Sequence, residues 1–468
     1  MPLVCCKTVT LSIADAREMT GQKTIGRLLL FALLLCAMCS GAWASTVAVG
    51  TCTSLPFYTS IQTAVNSVPA GSTVKVCPGT YAEQVSITKN LTLTGVSSNG
   101  SSGTSGFGAD NPIIVSPAGG VQVNAHDLFD GSDIAAQVVV TSPSNTITHP
   151  ISVSISNIIV DGSNNQVGGC GPDLVGIYYQ NAGGTMNHVV ARFQELGPGL
   201  GGCQAGLAIF AQSGYGTGGS ATVTIENSSV HDYQKNGITA DGSATTATIT
   251  GNYVVGQGAT PAIAQNGIQV SDGASGKVSS NTVTDDVYVN PSDCGSTNSC
   301  FSASGILLYD SGGTIAKALT VNGNVVSNTQ GGIVAFGDSQ GTADYNTVTS
   351  NKVTTSLAAG VFLIDGIDLC SNNNTATSNT VYNSSGAGIH LDSQCTESTG
   401  TSGNNSSALN NTVNEACAGV LLGNGTGTSQ SNTAVYNVGQ VVLAGDSCSV
   451  GTSKVAKVRL KPAPFRHQ

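Results

Sequence analysis

Only 9% of the 468 residues are charged, glycine occurs 60 times, and the formal net charge is −10. An acidic chain without a basic stripe is a poor match for nucleic acid, whose phosphates demand clustered Lys and Arg. So much Gly, Ser and Asn would suit a disordered chain, but aliphatic residues recur in register through that background, which disorder does not require.

The chain opens on an export pattern. Lys23 and Arg27 precede an apolar run over residues 28–39, and Ala42-Trp43-Ala44 follows as a small-x-small cleavage site. The run is too short to read as a membrane span. Residues 1–44 are therefore expected to be a signal peptide, with Met19 an alternative start. The mature chain is expected to have no transmembrane segment and to be secreted or periplasmic. Cleavage removes four basic and two acidic residues, leaving 12 against 24 and a net charge of −12. It also leaves ten of the 14 cysteines, an even number that implies disulfides in an exported chain. The simplest pairing joins sequence neighbours: Cys52 with Cys77, Cys170 with Cys203, Cys294 with Cys300, Cys370 with Cys395, and Cys417 with Cys448. No CxxC pair or clustered His favours a thiolate metal site.

The next segment changes period. Ile61, Ala64, Val65 and Val68 fall at helical spacing, and Pro69-Ala70-Gly71 stops that helix. Val74 and Val76, then Val85, Ile87, Leu91 and Leu93, alternate as strands do. Ile61 to Gly95 resembles the opening of pectin-lyase-like right-handed parallel β-helix proteins, including the pectinesterases and the periplasmic copper-enzyme-maturation type. The resemblance implies a cap helix carrying Ile61, Gln62 and Val65. It places Pro78-Gly79-Thr80-Tyr81 at the end of a first strand, with Glu83 and Val85 entering the next. Right-handedness and a three-faced cross-section are likewise implied by it. A cap suits a solenoid, whose terminal coils otherwise expose apolar ends and unpaired edges. The short motifs in which pectinesterases carry paired aspartates and an arginine are not found here, nor is the aspartate cluster with a nearby basic residue of pectate lyases. The resemblance thus extends to the fold and not to those chemistries.

From about residue 150 one phrase returns: Asn-x-Val, a few small polar residues, then Gly-Ile or Gly-Val. Copies begin at Asn281, Asn324, Asn346, Asn379 and Asn411, with fainter ones at Asn157, Asn187, Asn227, Asn252 and Asn432. Such recurrence indicates a solenoid. The short runs of Val, Ile and Thr are strand-forming, and the shortest Asn spacings, 21 and 22, suggest a coil of about 22 residues. The expected fold is all-β: one right-handed parallel β-helix over 45–453, with its cap helix, and a basic tail over 454–468. Irregular loops are expected at 96–150, 289–304 and 393–408. The recurring Asn is read as a stacked turn residue. The Gly before Ile is read as a positive-φ residue or one packed too tightly for a Cβ.

Counting four or five residues from each Asn collects Asp161, Arg192, His231, Asp232, Asp285 and Asp286 near one corner. Adjacent coils lie about 4.8 Å apart, which would seat Arg192 between Asp161 and Asp232. One reading is a ladder of exposed ion pairs, each of small worth. The other is a glycan-cleaving site, with Asp161, Arg192, His231 and Asp232 catalytic and Asp285 and Asp286 binding substrate. Tyr178, Tyr179 and Tyr233 lie on the same coils, with Phe193, Phe210 and Tyr215. They either stack on sugar faces or fill the interior. A second group, Asp365, Asp368, His390 and Asp392, offers oxygen ligands to calcium without EF-hand spacing; no other cofactor is implied. The function expected is binding, and cleavage by hydrolysis or elimination, of a polysaccharide or cell-surface glycan by a monomeric protein. The alternative is a non-catalytic surface, matrix or adhesion protein.

Overall fold

Alternation of buried and half-buried residues sets the architecture. In the coil from Ala221, strands Ala221–Glu226, Ser229–Tyr233 and Asn236–Asp241 follow one another, and Thr245–Thr250 returns to lie parallel beside Ala221–Glu226. Among the described residues, repetition of this path builds three long sheets of 14, 11 and 13 strands, parallel except for Ala125–His126 at the side of the last, here sheets A, B and C in the order the chain visits them. The computed structural model describes residues 43–96, 111–143, 149–216, 219–289, 299–355 and 365–392 without interruption, with shorter stretches up to residue 465. The fold is the right-handed parallel β-helix that the sequence led one to expect. The segment 1–42 lies outside the described residues, as do Lys454, Lys457 and Arg466 of the tail. Among the described residues no helix is long and apolar enough to cross a membrane.

The interior is a stack of aliphatic columns. One runs through sheet A as Leu93, Ile155, Met186, Ile225, Ile249 and Val278, each beside its neighbour on the adjoining coil, and all are buried. Burying each such side chain contributes about 1.5–3 kcal/mol. The expected cap helix is present as Ile61–Ser67, with Ile61, Ala64 and Val65 buried. The carboxylate of Glu83 accepts hydrogen bonds from the Ile61 and Gln62 N–H groups at 2.8 and 2.9 Å. It thereby satisfies donors that a helix N-terminus leaves open.

The turn from sheet A to sheet B explains the repeated Asn. Asn252, Asn281, Asn324, Asn351, Asn379, Asn411 and Asn437 form one column. The side-chain oxygen of Asn324 accepts from both the backbone N–H and the amide of Asn281, each at 2.9 Å. The Asn324 amide donates to Val278 O and to Asn351 Oδ1. Successive members are 29, 43, 27, 28, 32 and 26 residues apart; coils of 24 and 22 residues also occur, from Ala221 to Thr245 and from Ile367 to Ile389, although the Asn spacings that suggested such a length do not measure one coil. The shorter spacing joined two different columns. Asn346, Asn374 and Asn432 belong to a second ladder at the turn from sheet C to sheet A, completed by Ser406. Asn157 and Asn227 are in neither ladder. They hold the left-handed position just before it, with φ of 56° and 50°, and Asn187 is one residue further back, before His188 at φ 53°.

The Gly before Ile follows the tight-packing alternative. A Cβ on Gly332 would lie 2.2 Å from Gly366 O and 2.4 Å from a Val353 methyl. All three expected loops contain strands, with Thr396–Glu397, Gly400–Thr401 and the start of Ser407–Leu409 in the last of them. Ile113–Val115 and Asp133–Thr141 join sheets B and C within 96–150, because their Ile, Val and Ala residues complete the interior. Ser299–Ser302 pairs in parallel with Arg459–Pro462 from the tail. Beyond it, Phe465 is buried on the outer side of sheet C, edge-on to Phe210 at 5.8 Å. Its backbone N–H donates to Gln269 Oε1 at 2.8 Å and its carbonyl accepts from Gln269 Nε2 at 3.2 Å.

Two neighbour disulfides are present, Cys52–Cys77 and Cys170–Cys203, with Cα separations of 5.6 and 5.1 Å. The second ties together the segments that enter two successive strands of sheet C, Asp173–Gln180 and Leu207–Gln212. Cys370 is also disulfide-bonded. Cys294, Cys395, Cys417 and Cys448 lie outside the described residues, as does the side chain of Cys300.

Candidate functional site

The corner where sheet B turns towards sheet C gathers most of the ionisable residues singled out in the sequence. Register pairs Asp161 with Arg192, Arg192 with His231 and His231 with Val255. Pairing then skips one residue, joining Gln194 to Tyr233. The skipped residues, Phe193 and Asp232, have φ of 55° and 52° and swing the chain round the corner. Arg192 therefore sits between Asp161 and His231, not between Asp161 and Asp232. Asp161, Arg192 and His231 each lie four residues past a left-handed residue, Asn157, His188 and Asn227; Asn187 stands one residue before that position, so equal counting from each Asn put Arg192 level with Asp232.

Asp161 is an anchor. Its side chain is 8% exposed. One carboxylate oxygen accepts from Arg192 Nε at 2.8 Å, and the other accepts from the backbone N–H and hydroxyl of Ser163 at 3.0 and 2.5 Å. Both oxygens are thus engaged within the protein, an arrangement that suits holding Arg192 in place. Arg192 keeps its terminal guanidinium nitrogens without a hydrogen bond among the described residues, and its guanidinium carbon lies 5.4 Å from the centre of the Phe193 ring. Phe193 is 38% exposed and meets His231 edge-on at 6.3 Å.

His231 Nδ1 and Asp232 Oδ2 are 2.6 Å apart. With Asp232 as carboxylate, Nδ1 carries the proton and Nε2 is left as the basic nitrogen, a tautomer fixed by its neighbour. Nε2 makes no hydrogen bond among the described residues, and both side chains are partly exposed. On the Arg192 coil, Glu195 follows three residues later. Burial holds its carboxyl above the usual range; the Gln257 amide opposes this and the nearby Asp232 charge reinforces it. Gln257 Nε2 donates to Glu195 Oε1 at 2.5 Å. A base of fixed tautomer and a carboxyl biased towards its acid form thus share one corner, the division of environments that separates acid from base. Phe193 and Glu195 border a recess of about 330 Å³, with Asn164 and Gln166 on its far side. Glu195 escaped the sequence reading because it lies eight residues past Asn187, beyond the window counted; its place three residues after Arg192 was the available signal.

The other nominated residues lie elsewhere. Tyr178, Tyr179 and Tyr233 are fully buried and present no ring to a sugar. Tyr179 donates to Val153 O at 3.0 Å, and Tyr178 stacks on Phe210 at 4.9 Å and donates to Gln212 Oε1 at 2.7 Å. Each hydroxyl finds an internal acceptor, which lets the ring stay inside. Tyr233 donates to Asp286 Oδ1 at 2.6 Å. Asp286 is fully buried, and burial raises its carboxyl well above the usual range. It is a core residue, not a substrate contact. Asp285 stands in the same corner column at φ 69°, where it accepts from the Asn328 amide and from Thr284 Oγ1.

The second cluster does assemble. Asp365, Asp368 and His390 bring one ligand atom each within 4.8 Å of one another. His390 Nδ1 faces Asp365 Oδ2 at 2.9 Å, Nε2 faces Gly423 O at 2.9 Å, and Asp392 Oδ1 is 3.8 Å from Nε2. Burial acts to lower the imidazole, but Asp392, Asp365 and Asp368 outweigh it and lift it to about 10. Both ring nitrogens meet acceptors, so both carry protons. The imidazolium supplies the cation these carboxylates would otherwise take from solution, and it has no lone pair for a metal. A calcium ion, which takes oxygen ligands, would compete with it.

No family model matches the chain, and no curated protein matches it in sequence. Among solved structures it is similar to the A-module of mannuronan C-5 epimerase AlgE4 from Azotobacter vinelandii, at 12% identity over 86% of this chain and 95% of that one, with a TM-score of 0.49. It is also similar to the catalytic domain of a GH87 α-1,3-glucanase in complex with nigerose, at 12% identity over 84% and 69% with a TM-score of 0.39. A third likeness is to pectate lyase Pel9A, at 11% identity over 85% and 79% with a TM-score of 0.35.

Proposed function

We propose that this protein is an exported, polysaccharide-cleaving β-helix whose reacting groups lie at the corner between sheets B and C. The observation that carries the reading is the 2.6 Å contact between His231 Nδ1 and Asp232, set beside Glu195 and the exposed ring of Phe193. His231 Nε2 takes the proton, Asp232 holds its tautomer, and Glu195 delivers a proton to the departing glycosidic oxygen. The terminal nitrogens of Arg192, held in place by Asp161, bond substrate oxygens, and Phe193 packs against a sugar face. Cleavage by water and cleavage by elimination use the same base and acid, and differ in whether the base activates water or removes a carbon-bound proton. Residues 1–44 act as the export signal, and the disulfides suit the oxidising compartment beyond it.

The test is a panel of polysaccharides assayed for new reducing ends and for unsaturated products, with wild type, His231→Gln and Glu195→Gln. Each substitution should lower turnover by about 100-fold or more while leaving the fold intact by circular dichroism. Turnover that survives both would discard this corner. Binding without turnover by the wild type would instead assign the protein to the non-catalytic adhesion class.

A further inference from the structure

We infer that Gln257 is a positioning residue for Glu195, reaching it from a β-bulge across an intervening coil. The inference rests on the reading of Glu195 as the acid of this corner. Glu195 follows strand Val190–Gln194, and strand Ser229–Tyr233 lies between it and strand Tyr253–Thr260, which carries Gln257. Two inter-coil steps of about 4.8 Å separate the outer strands, about 10 Å in all. Towards Ser229–Tyr233 the pairing of Tyr253–Thr260 ends at Val255. Towards Thr282–Tyr288 it runs Val255 with Thr284 and then Gly258 with Asp286, so one extra residue is taken up at Gly256 and Gln257. A bulge bends its strand and re-aims a side chain. Here Gln257 Nε2 donates to Glu195 Oε1 at 2.5 Å. A Cβ on Gly256 would lie 2.5 Å from Asp285 O and 2.7 Å from Asp286 Oδ1, so the bulge begins where a side chain has no room.

Both ends of that hydrogen bond are tied to the coil between them. The Gln257 N–H donates to Gln265 Oε1 at 2.9 Å. Gln265 is fully buried, and its amide donates to Tyr233 O at 2.6 Å and to Gln234 O at 3.1 Å. The side chain of Gln234, also buried, accepts from the Leu196 N–H at 2.9 Å, next to Glu195, and donates to Leu200 O and Cys203 O. Backbones so held lose little freedom when the contact forms, which separates it from an ordinary surface pair. Because the amide donates to Oε1, the acidic proton is left to Oε2. Burial, and with it the charge of Asp232 on Ser229–Tyr233, favours the acid form of Glu195; the Gln257 amide favours the carboxylate. The corner's other charged groups are engaged elsewhere, Arg192 with Asp161 and His231 with Asp232. Gln257 thus fixes the acid in place and keeps it able to give up its proton.

The test titrates the Glu195 carboxyl by carboxyl-carbon NMR in the full exported chain, comparing wild type with Gln257→Ala and Gln257→Asn. Gln257 is exposed, so both variants should keep the wild-type circular dichroism. Both should raise the Glu195 midpoint, because each withdraws a donor from the carboxylate; asparagine keeps the amide but is one methylene short. In the polysaccharide assay Gln257→Ala should lower kcat about tenfold, a part of the roughly 100-fold that a general acid supplies. It should leave KM unchanged and move the alkaline limb of the pH profile upward. The titration needs no substrate. A wild type that cleaves nothing would count against the catalytic reading of the corner, while the midpoint would still decide the role of Gln257. A midpoint unmoved or lowered in Gln257→Ala, or one kept at the wild-type value in Gln257→Asn, would overturn the inference.

Discussion

Two corners of the same helix are built to opposite plans. Where sheet A turns into sheet B, seven coils place Asn at one position, and each amide serves the coil on either side. Where sheet B turns towards sheet C, the matching column reads Asp161, Arg192, His231, Val255 and Thr284. Uniformity follows from mutual need, since each ladder Asn satisfies backbone groups that its neighbour cannot. Variety is tolerated only where no such need exists, and that leaves room for chemistry. In a solenoid, the position that breaks the repeat is therefore a better pointer to function than the position that keeps it.

The strongest way to break this comparison is to remove one rung. Asn324→Ala leaves the Asn281 N–H and amide, the Val278 carbonyl and the Asn351 oxygen short of partners. All are buried, and each unmet group costs about 1–3 kcal/mol, so the loss should be at least about 3 kcal/mol by urea denaturation. Removing the variable corner's ion pair with Arg192→Ala should cost less than that rung, because Arg192 is partly solvated and Asp161 keeps its bonds to Ser163. Equal losses would end the distinction between a structural and a functional corner.

The same contrast explains what could be read without coordinates. The cap helix, the parallel coils and two disulfides rest on local pattern: apolar spacing at Ile61, Ala64 and Val65, alternation at Leu91 and Leu93, and neighbouring cysteines. The grouping of Asp161, Arg192 and His231 was legible because register is inherited from coil to coil. Ladder membership was not, since Asn324 and Asn346 look alike in sequence yet stand in different ladders, and only hydrogen-bond partners tell them apart. Burial of Tyr178, Tyr179 and Tyr233 was not legible either. Alternation assigns faces only once the register is known, and the outer side of sheet C is itself covered, in part by Phe465.

A pH-dependent effect comes from the outer face of sheet C. His390 faces Asp365, Asp368 and Asp392, and its pKa in the folded protein is about 10, above the ordinary value near 6.5. Folding thus favours the charged ring. The stabilisation is complete below about pH 6.5 and is lost as pH rises through about 10. Stability of the wild type should fall across that window more steeply than that of His390→Gln, whose side chain does not titrate. Parallel curves, with lysines and tyrosines contributing equally to both, would show that the ring is neutral and free to take a metal.

The smallest effect sharpens the comparison most, because it concerns an Asn that sequence alone cannot separate from the ladder. Asn227 precedes Ser228, and it is the backbone N–H of Ser228, not of Asn227, that donates to the ladder oxygen of Asn252. Asn227 is needed for its backbone, at φ 50°, which glycine adopts without strain and most residues avoid. Among the described residues its amide donates to Asn187 Oδ1 alone, at 3.3 Å and in solvent. Asn227→Gly should therefore shift stability by no more than about 0.5 kcal/mol, and Asn227→Val should cost more than Asn227→Gly through backbone strain alone. If Asn227→Gly instead destabilised the protein as much as Asn324→Ala, side-chain bonding would govern the left-handed position too, and position within the turn would not decide which asparagines hold the helix together.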